Sequence, residues 1–467
     1  MTEKRKAISV CIVGAGVGGL AIAKQLQDSG INFQCFDARG KLGGIWSFTE
    51  DANFTAAWAR LNQNTPRGRY EFSDYPMPAS YPDYPTREQV QNYLEDYARH
   101  FNFIDKIQLN TLVLSADRQP NGGWMIETSD NQKHYFDYFV VANGHHNKPN
   151  YPAYVKDNKF NGTSLHSSQY RHREVFQGKK VMVVGIGNSG SQIAVDVSHA
   201  AEQTFISTRR GVYILPHYIC GLRFDNLFGF VEWWWVHKLL PWPVLHWISS
   251  GFYKLFLAKN TQFGLPTPDH KMFEALPTLS ENFFNRIGDG RLVVKPEVAH
   301  IDGDTVHFKD GSSEKMDAII YSTGFDLDFP FFKAESLKLH ENRVPLFKRI
   351  FSPQYPDVCF IGLFQAVTFG FLHMMEHQAR LVARYIDGKY TLPSHADMLK
   401  DIQRERKHIE RTFAKVLRNN YQMMGSVYVH EVETELKKGM KRTKSTRKGT
   451  SDMSVAFHPN EKLDSVA

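Results

Sequence analysis

The stretch VVGIGNSGSQIAVDVS, Val183 to Ser198, carries Gly185-x-Gly187-x-x-Gly190 directly behind an apolar run. The longer segment KKVMVVGIGNSGSQIAVDVSHAA (Lys179 to Ala201) reads as buried strand, glycine turn and helix, and QTFISTRRG (Gln203 to Gly211) supplies the next strand. In this order the glycines permit a tight turn, close approach to a pyrophosphate and close helix–strand packing. The free N–H groups and partial positive charge of the helix N-terminus then face the anion. Gly185, Gly187, Asn188, Ser189 and Gly190 are the expected contacts of this cradle. The ribose position holds Arg209 and Arg210 where an acid would select a free hydroxyl, a pattern suited to a 2′-phosphate.

The chain opens on the same plan. ISVCIV (Ile8 to Val13) is a β-branched, all-apolar run, as a strand buried on both faces requires. GAGVGG supplies the turn with Gly14-x-Gly16-x-x-Gly19, LAIAKQLQDSG has helical spacing ending at Gly30, and NFQCFDARG reads as a second strand. The cradle residues are Gly14, Ala15, Gly16, Val17, Gly18 and Gly19, and Asp37 is placed to accept from a ribose hydroxyl. Two cradles of opposite ribose chemistry predict two different dinucleotides. The pair that makes chemical sense is NADP(H) as hydride donor and FAD as acceptor. The predicted fold class is α/β, with two nested Rossmann-like dinucleotide-binding domains and a helical aromatic-rich insert.

Composition agrees with a large folded protein. At 467 residues the chain exceeds the size at which one core stops growing, and 42% apolar content can fill two. The net charge of +7 is modest and gathers near the C-terminus in KKGMKRTKSTRK (Lys437 to Lys448), read as a solvated tail. No nucleic-acid partner is expected. Cys11, Cys35, Cys220 and Cys359 form no CxxC pair, which suits a reducing interior. No apolar run reaches the roughly 18 residues of a spanning helix, so the expected location is cytoplasmic, with peripheral membrane contact as an addition.

Between the two cradles lies FNGTSLHSSQY (Phe160 to Tyr170), and with it the sequence resembles the flavin-containing monooxygenases. The stretch matches that family's F-x-G-x-x-x-H-S-x-x-[YF] fingerprint, and the likeness runs in order from about residue 8 to 395. LGGIW (Leu42 to Trp46) is similar to the family's flavin-contacting segment, which implies cofactor contacts at Gly44, Ile45 and Trp46. NTPRGRYEFSDYPMP resembles the region in which an Asn lies beside the flavin and NADP⁺, placing that catalytic role on Asn64 with Thr65 next to it. VVANGHHNKP and IIYSTGFDLDFPF correspond to the two places where the chain passes between domains; Thr323 and Gly324 belong to the second. His166 is read as an organiser of that linker within the cofactor-binding set. Tyr170, where related Baeyer–Villiger enzymes usually carry Trp, favours heteroatom oxygenation. Gln192 departs from the Asp common after the second cradle, and Phe325 from the usual Tyr.

The resemblance implies domains at 1–170 (FAD, first part), 171–322 (NADPH, with an insert at about 222–260), 323–395 (FAD, return) and 396–467 (helix and basic flexible tail). Little order is expected after about Val427. The implied enzyme uses FAD, NADP(H) and O₂ to oxygenate a small-molecule amine or sulfide through a C4a-hydroperoxyflavin. A Baeyer–Villiger monooxygenase, an NADPH oxidase or flavin reductase, and a degenerate nucleotide-binding scaffold are the competing functions. The chain has no metal-spaced cluster and no G-x-S-x-G elbow, consistent with chemistry carried by the cofactor. The insert Asn226 to Lys259 holds five of the eight tryptophans and is broken by Pro241 and Pro243. It reads as a cap over the active-site mouth, a membrane-surface patch or a homodimer contact.

Overall fold

The computed structural model describes residues 8–51, 56–157, 160–229, 233, 235–240, 242–256, 260–333, 343–367, 370–413 and 421–449. Strand β1 (Ser9–Val13) leads through the first glycine turn into helix α1 (Val17–Asp28) and strand β2 (Asn32–Phe36). Val10 and Ile12 point into one core, Cys11 and Val13 into another. That is why the run is apolar at every position: alternate residues face opposite sides of a sheet, and both sides are covered. Helix α2 (Arg87–His100) starts at a capping box, in which Thr86 and Gln89 satisfy each other's backbone N–H groups. Short β3 (Ile107–Gln108) and then β4 (Tyr138–Val141) follow.

The second unit is built from β5 (Thr163–His166), β6 (Lys180–Val184), helix α3 (Asn188–Val197) and β7 (Gln203–Ser207). Helix α4 (Trp242–Phe256) lies within the insert, and β8 (Leu292–Lys295) and β9 (Ala318–Tyr321) complete the unit. The chain then returns to the first sheet through β10 (Val358–Phe360). It ends in helices α5 (Phe371–Ile386), α6 (His395–Thr412) and α7 (Gly425–Gly449).

The first sheet runs β10-β4-β1-β2-β3 and the second β8-β7-β6-β9-β5, five strands each and parallel throughout. Each sheet is backed by a three-stranded antiparallel sheet, over 113–136 in the first unit and 298–315 in the second. The units are therefore two copies of one plan, the second inserted into the first. The two crossings lie side by side. Lys148–Pro149 pairs antiparallel with Phe325–Asp326, and Asn150 Nδ2 donates to Asp326 Oδ1 at 2.8 Å.

Two expectations shift. Thr163–His166 precedes the expected crossing near residue 170, yet it joins the second sheet beside β9, because its backbone pairs with Ala318–Tyr321. The C-terminal basic segment is helical as far as Gly449, so the flexible tail expected after Val427 is corrected over that range. Tyr428, Val432 and Leu436, four residues apart, form a buried stripe against α5. Gly439 admits the Tyr390 ring so closely that a Cβ there would lie 2.0 Å from it. Residues 450–467 of the expected tail, and 230–232, 234, 241 and 257–259 of the insert, lie outside the described residues.

Candidate active site

In the first turn Gly14 has φ +100°, and a Cβ there would stand 2.5 Å from the Ala142 carbonyl oxygen. A Cβ at Gly19 would stand 1.8 Å from Gly14 O, and one at Gly16 3.3 Å from Gly44 Cα. Any side chain at Gly14 or Gly19 collides with backbone, so the spacing is set by sterics. The LGGIW segment closes on this turn: Gly43 N–H donates to Ala15 O at 2.8 Å. Asp37, 5% exposed, accepts from Ala15 N–H at 2.7 Å and from Arg39 N–H at 2.9 Å. Two donors fix its orientation, and a carboxylate with about four acceptor sites retains capacity for a ribose hydroxyl.

The second turn repeats these relations. Gly185 has φ +103° and abuts the Ser322 carbonyl oxygen, 2.5 Å from its would-be Cβ; a Cβ at Gly190 would meet Gly185 O at 1.9 Å. Helices α1 and α3 both begin at glycine, at Gly16 and Gly187, with no side-chain cap and no acidic residue in the first turn. A pair of uncapped, acid-free N-termini behind steric glycine turns fits the phosphates of two dinucleotides. The polar atoms around the turns fit as well. Ser47 Oγ, Asn143 Oδ1 and Ser322 Oγ are buried and lack a hydrogen-bond partner among the described residues.

The residues expected at the two ribose ends have different surroundings. Arg209 and Arg210 lie exposed just past β7; Arg210 Nε is 3.4 Å from Asp269 Oδ2, and Arg209 makes no ion pair with a described residue. Asn188 gives its side-chain oxygen to Leu279 N–H at 2.8 Å, and Thr278 Oγ1 donates to Ile186 O at 2.9 Å. The segment at Thr278–Leu279 thus latches the second turn, a role no local sequence signal announces. Ser189 is half-buried beside it.

Around the LGGIW segment, Trp46 is buried and donates through Nε1 to the Tyr70 hydroxyl at 2.7 Å, while Ile45 is exposed. Asn64 and Thr65 are half-buried. The Asn64 side-chain oxygen accepts from Gln192 Nε2 of α3, so Asn64 is joined directly to the helix of the second cradle.

The crossing contains His166, fully buried. Nδ1 accepts from Ser168 N–H at 3.2 Å, and Nε2 lies 3.0 Å from Gly324 O, which sets the Nε2–H tautomer. Burial pushes its pKa down to about 4, so the ring is neutral at physiological pH. Its ring edge meets Phe325 and Tyr151. Thr323 Oγ1 donates to Asn150 O at 2.5 Å. Tyr170 is packed inside the second core and donates to Asp196 Oδ2 at 2.7 Å. The sequence reading missed Arg171, 9% exposed, which donates to the carbonyls of Thr49, Asp51, Ala57, Ser168 and Tyr170. Its only sequence signal is its place directly after the fingerprint.

With this geometry in place, the comparisons are specific. Residues 6–442 match the model of the flavin-binding monooxygenase-like family. The chain is 32% identical over 438 residues to flavin-containing monooxygenase 5 of Homo sapiens, covering 90% of this chain and 80% of that one. It is 31% identical to dimethylaniline monooxygenase [N-oxide-forming] 2 of Oryctolagus cuniculus over 446 residues, with 91% and 82% covered. In fold it is similar to the S-allyl-L-cysteine S-oxygenase of Allium sativum, with TM-score 0.68, 22% identity, and 95% and 94% of the two chains covered. It is also similar to a steroid monooxygenase solved with NADP, with TM-score 0.69, 17% identity, and 93% and 99% covered. Matched across nearly its whole length and at more than 30% identity, the chain belongs to the flavin-binding monooxygenase-like family.

Proposed function

We propose that the chain is an NADPH-dependent FAD monooxygenase that oxygenates soft nucleophilic nitrogen or sulfur atoms of small molecules. The observation that carries this reading is the contrast between a buried acceptor, Asp37, at one ribose end and Arg209 with Arg210 at the other. An acid suits a free 2′-hydroxyl and guanidinium groups suit a 2′-phosphate, so FAD belongs to the first cradle and NADP(H) to the second. When bound, the pair supplies hydride transfer and oxygen activation: NADPH, a proton, O₂ and substrate give NADP⁺, water and the oxygenated product. The protein's own part is to orient the two nucleotides, with Asn64 at their junction, and to exclude water. The rabbit relative named for N-oxide formation supports a heteroatom substrate.

The membrane-facing part of the reading concerns α4. Leu245, His246, Ser249 and Tyr253 turn inward, whereas Val244, Trp247 and Ile248 stay exposed, Trp247 at 77%. Trp233, Trp235 and Leu239, earlier in the insert, are exposed as well. An exposed apolar helix face rich in Trp suits the membrane–water interface. Among the described residues no helix is long and apolar enough to cross a membrane.

The test reduces the flavin-loaded protein anaerobically with NADPH or NADH, admits O₂, and identifies products from an amine, a sulfide and a ketone by mass spectrometry. NADPH preference with N-oxide or sulfoxide formation is the expected result. An ester from the ketone would point to Baeyer–Villiger chemistry, and hydrogen peroxide alone to an oxidase.

A further inference from the structure

Asn64 sits on a segment shared by both units. Trp58 is buried in the second core, Leu61 touches both cores, and Ala59 N–H donates to Arg171 O at 3.0 Å. Beyond it, Gln63 N–H donates to Pro85 O and Arg87 N–H to Leu61 O, both at 2.9 Å, which ties the same segment to the first unit. Asn64 itself is half-buried, and its own backbone N–H donates to Gln63 Oε1 at 3.1 Å. For its side chain, Gln192 is the hydrogen-bonding partner. Gln192 lies one turn beyond Asn188 on α3, four residues on and therefore on the same face as the start of the second cradle.

We propose that Gln192 is a positioning residue that holds the Asn64 side-chain amide across the boundary between the two nucleotide units. This rests on the monooxygenase reading above. The hold is a bond between two neutral amides. With Asn64 Oδ1 engaged by Gln192 Nε2, the two Nδ2–H donors of Asn64 are left for the nucleotides at the junction. A carboxylate at position 192 could only accept, so it would hold Asn64 by the opposite end and add a negative charge one turn from the cradle. Gln192 keeps the hold without that charge. Because Asn64 and Gln192 are 128 residues apart, the bond also couples the Asn64 orientation to the relative placement of the two units.

The experiment is a double-mutant cycle in the FAD-loaded protein with Gln192→Leu, Gln192→Glu, Asn64→Ala and the Leu/Ala pair. Three quantities are read: the NADP⁺ dissociation constant by tryptophan fluorescence, the fraction of consumed NADPH recovered as hydrogen peroxide, and Tm. Leu preserves bulk, so a packing role would leave Gln192→Leu unchanged. The proposal expects Gln192→Leu to weaken NADP⁺ binding and raise the peroxide fraction, each about two- to tenfold, the range one neutral hydrogen bond commands. Gln192→Glu would accept from an Asn64 Nδ2–H instead, taking a donor from the nucleotides and adding a negative charge one turn from the cradle. It is therefore expected to weaken NADP⁺ binding at least as much as Gln192→Leu, and parent-like NADP⁺ binding by Gln192→Glu would also overturn the proposal. The double variant should be no worse than Asn64→Ala, since partners in contact are not additive. Effects of the two single changes that multiply, in the dissociation constant or in Tm, or a Gln192→Leu protein that behaves as the parent, would overturn it. A parent protein that sends all electrons to peroxide with every substrate sinks the monooxygenase reading instead, and the NADP⁺ and Tm cycles then still decide the linkage.

Discussion

Asp37 and Thr208 occupy the same place in the two nucleotide turns. Gly14 N–H donates to Phe36 O at 2.8 Å and Gly185 N–H to Ser207 O at 2.9 Å, and each acceptor is followed directly by the residue in question. Where the first turn has a buried carboxylate, the second has a hydroxyl that donates to Arg210 O at 2.7 Å and closes the bend presenting Arg209. On the proposed reading, nucleotide choice rests on one aligned position and the arginine pair behind it.

Arg209→Ala is expected to lower kcat/KM for NADPH by about 10- to 100-fold, the worth of a charge-assisted bond, with little change for NADH. Arg210→Ala should cost less, because that side chain is already engaged with Asp269. Thr208→Asp should narrow the NADPH:NADH ratio further. Steady-state kinetics with both nucleotides checks all three.

The two glycine turns should fail separately. Gly14→Ala forces a methyl group against Ala142 O and is expected to give protein with little bound flavin. Gly185→Ala forces one against Ser322 O and should leave flavin bound but slow to be reduced by NADPH. The flavin absorbance per protein and the anaerobic reduction rate separate the two outcomes.

His166 makes the crossing acid-sensitive. Its folded pKa, held at about 4 by burial, lies below the ordinary value of 6.5. Between those values the unfolded chain binds the extra proton, so the neutral ring's contribution is complete above about pH 6.5 and is lost as pH falls towards 4. The loss amounts to at most about 3 kcal/mol. Tm should fall over that window, and His166→Gln should flatten that part of the profile at the expense of stability at pH 7.

The exposed face of α4 predicts surface binding. Trp247→Glu combined with Leu239→Glu should abolish co-sedimentation with anionic vesicles while leaving turnover of a soluble substrate unchanged. If sedimentation persists but the protein changes from dimer to monomer, the patch serves a second copy of the chain.

The C-terminal helix carries stability. Leu436→Ala removes a buried side chain from the stripe on α5 and is expected to cost about 2–4 kcal/mol in denaturant unfolding. A fully solvated tail would show no effect.

Both nucleotide units were legible in the sequence because their signals are local. Val10–Val13 and Val181–Val184 must be apolar at every position to be buried on two faces, and the glycines follow them at spacings that backbone sterics impose. Asp37 and the Arg209–Arg210 pair could be placed for the same reason, each lying a fixed distance beyond its turn. The helix around Val432 was not legible. Its apolar stripe is one residue wide in a charged segment, so only the covering face of α5 shows that it is buried. The move of Thr163–His166 into the second sheet depends on pairing with a strand about 155 residues later. Likewise, that Asn64 meets Gln192, that Asn188 is spent on Leu279, and that Arg171 gathers five carbonyls are decided by tertiary structure alone. A side chain's hydrogen-bond partner is set by which distant backbones the folded sheets bring within 3 Å or so, and nothing in a residue's own neighbourhood encodes that.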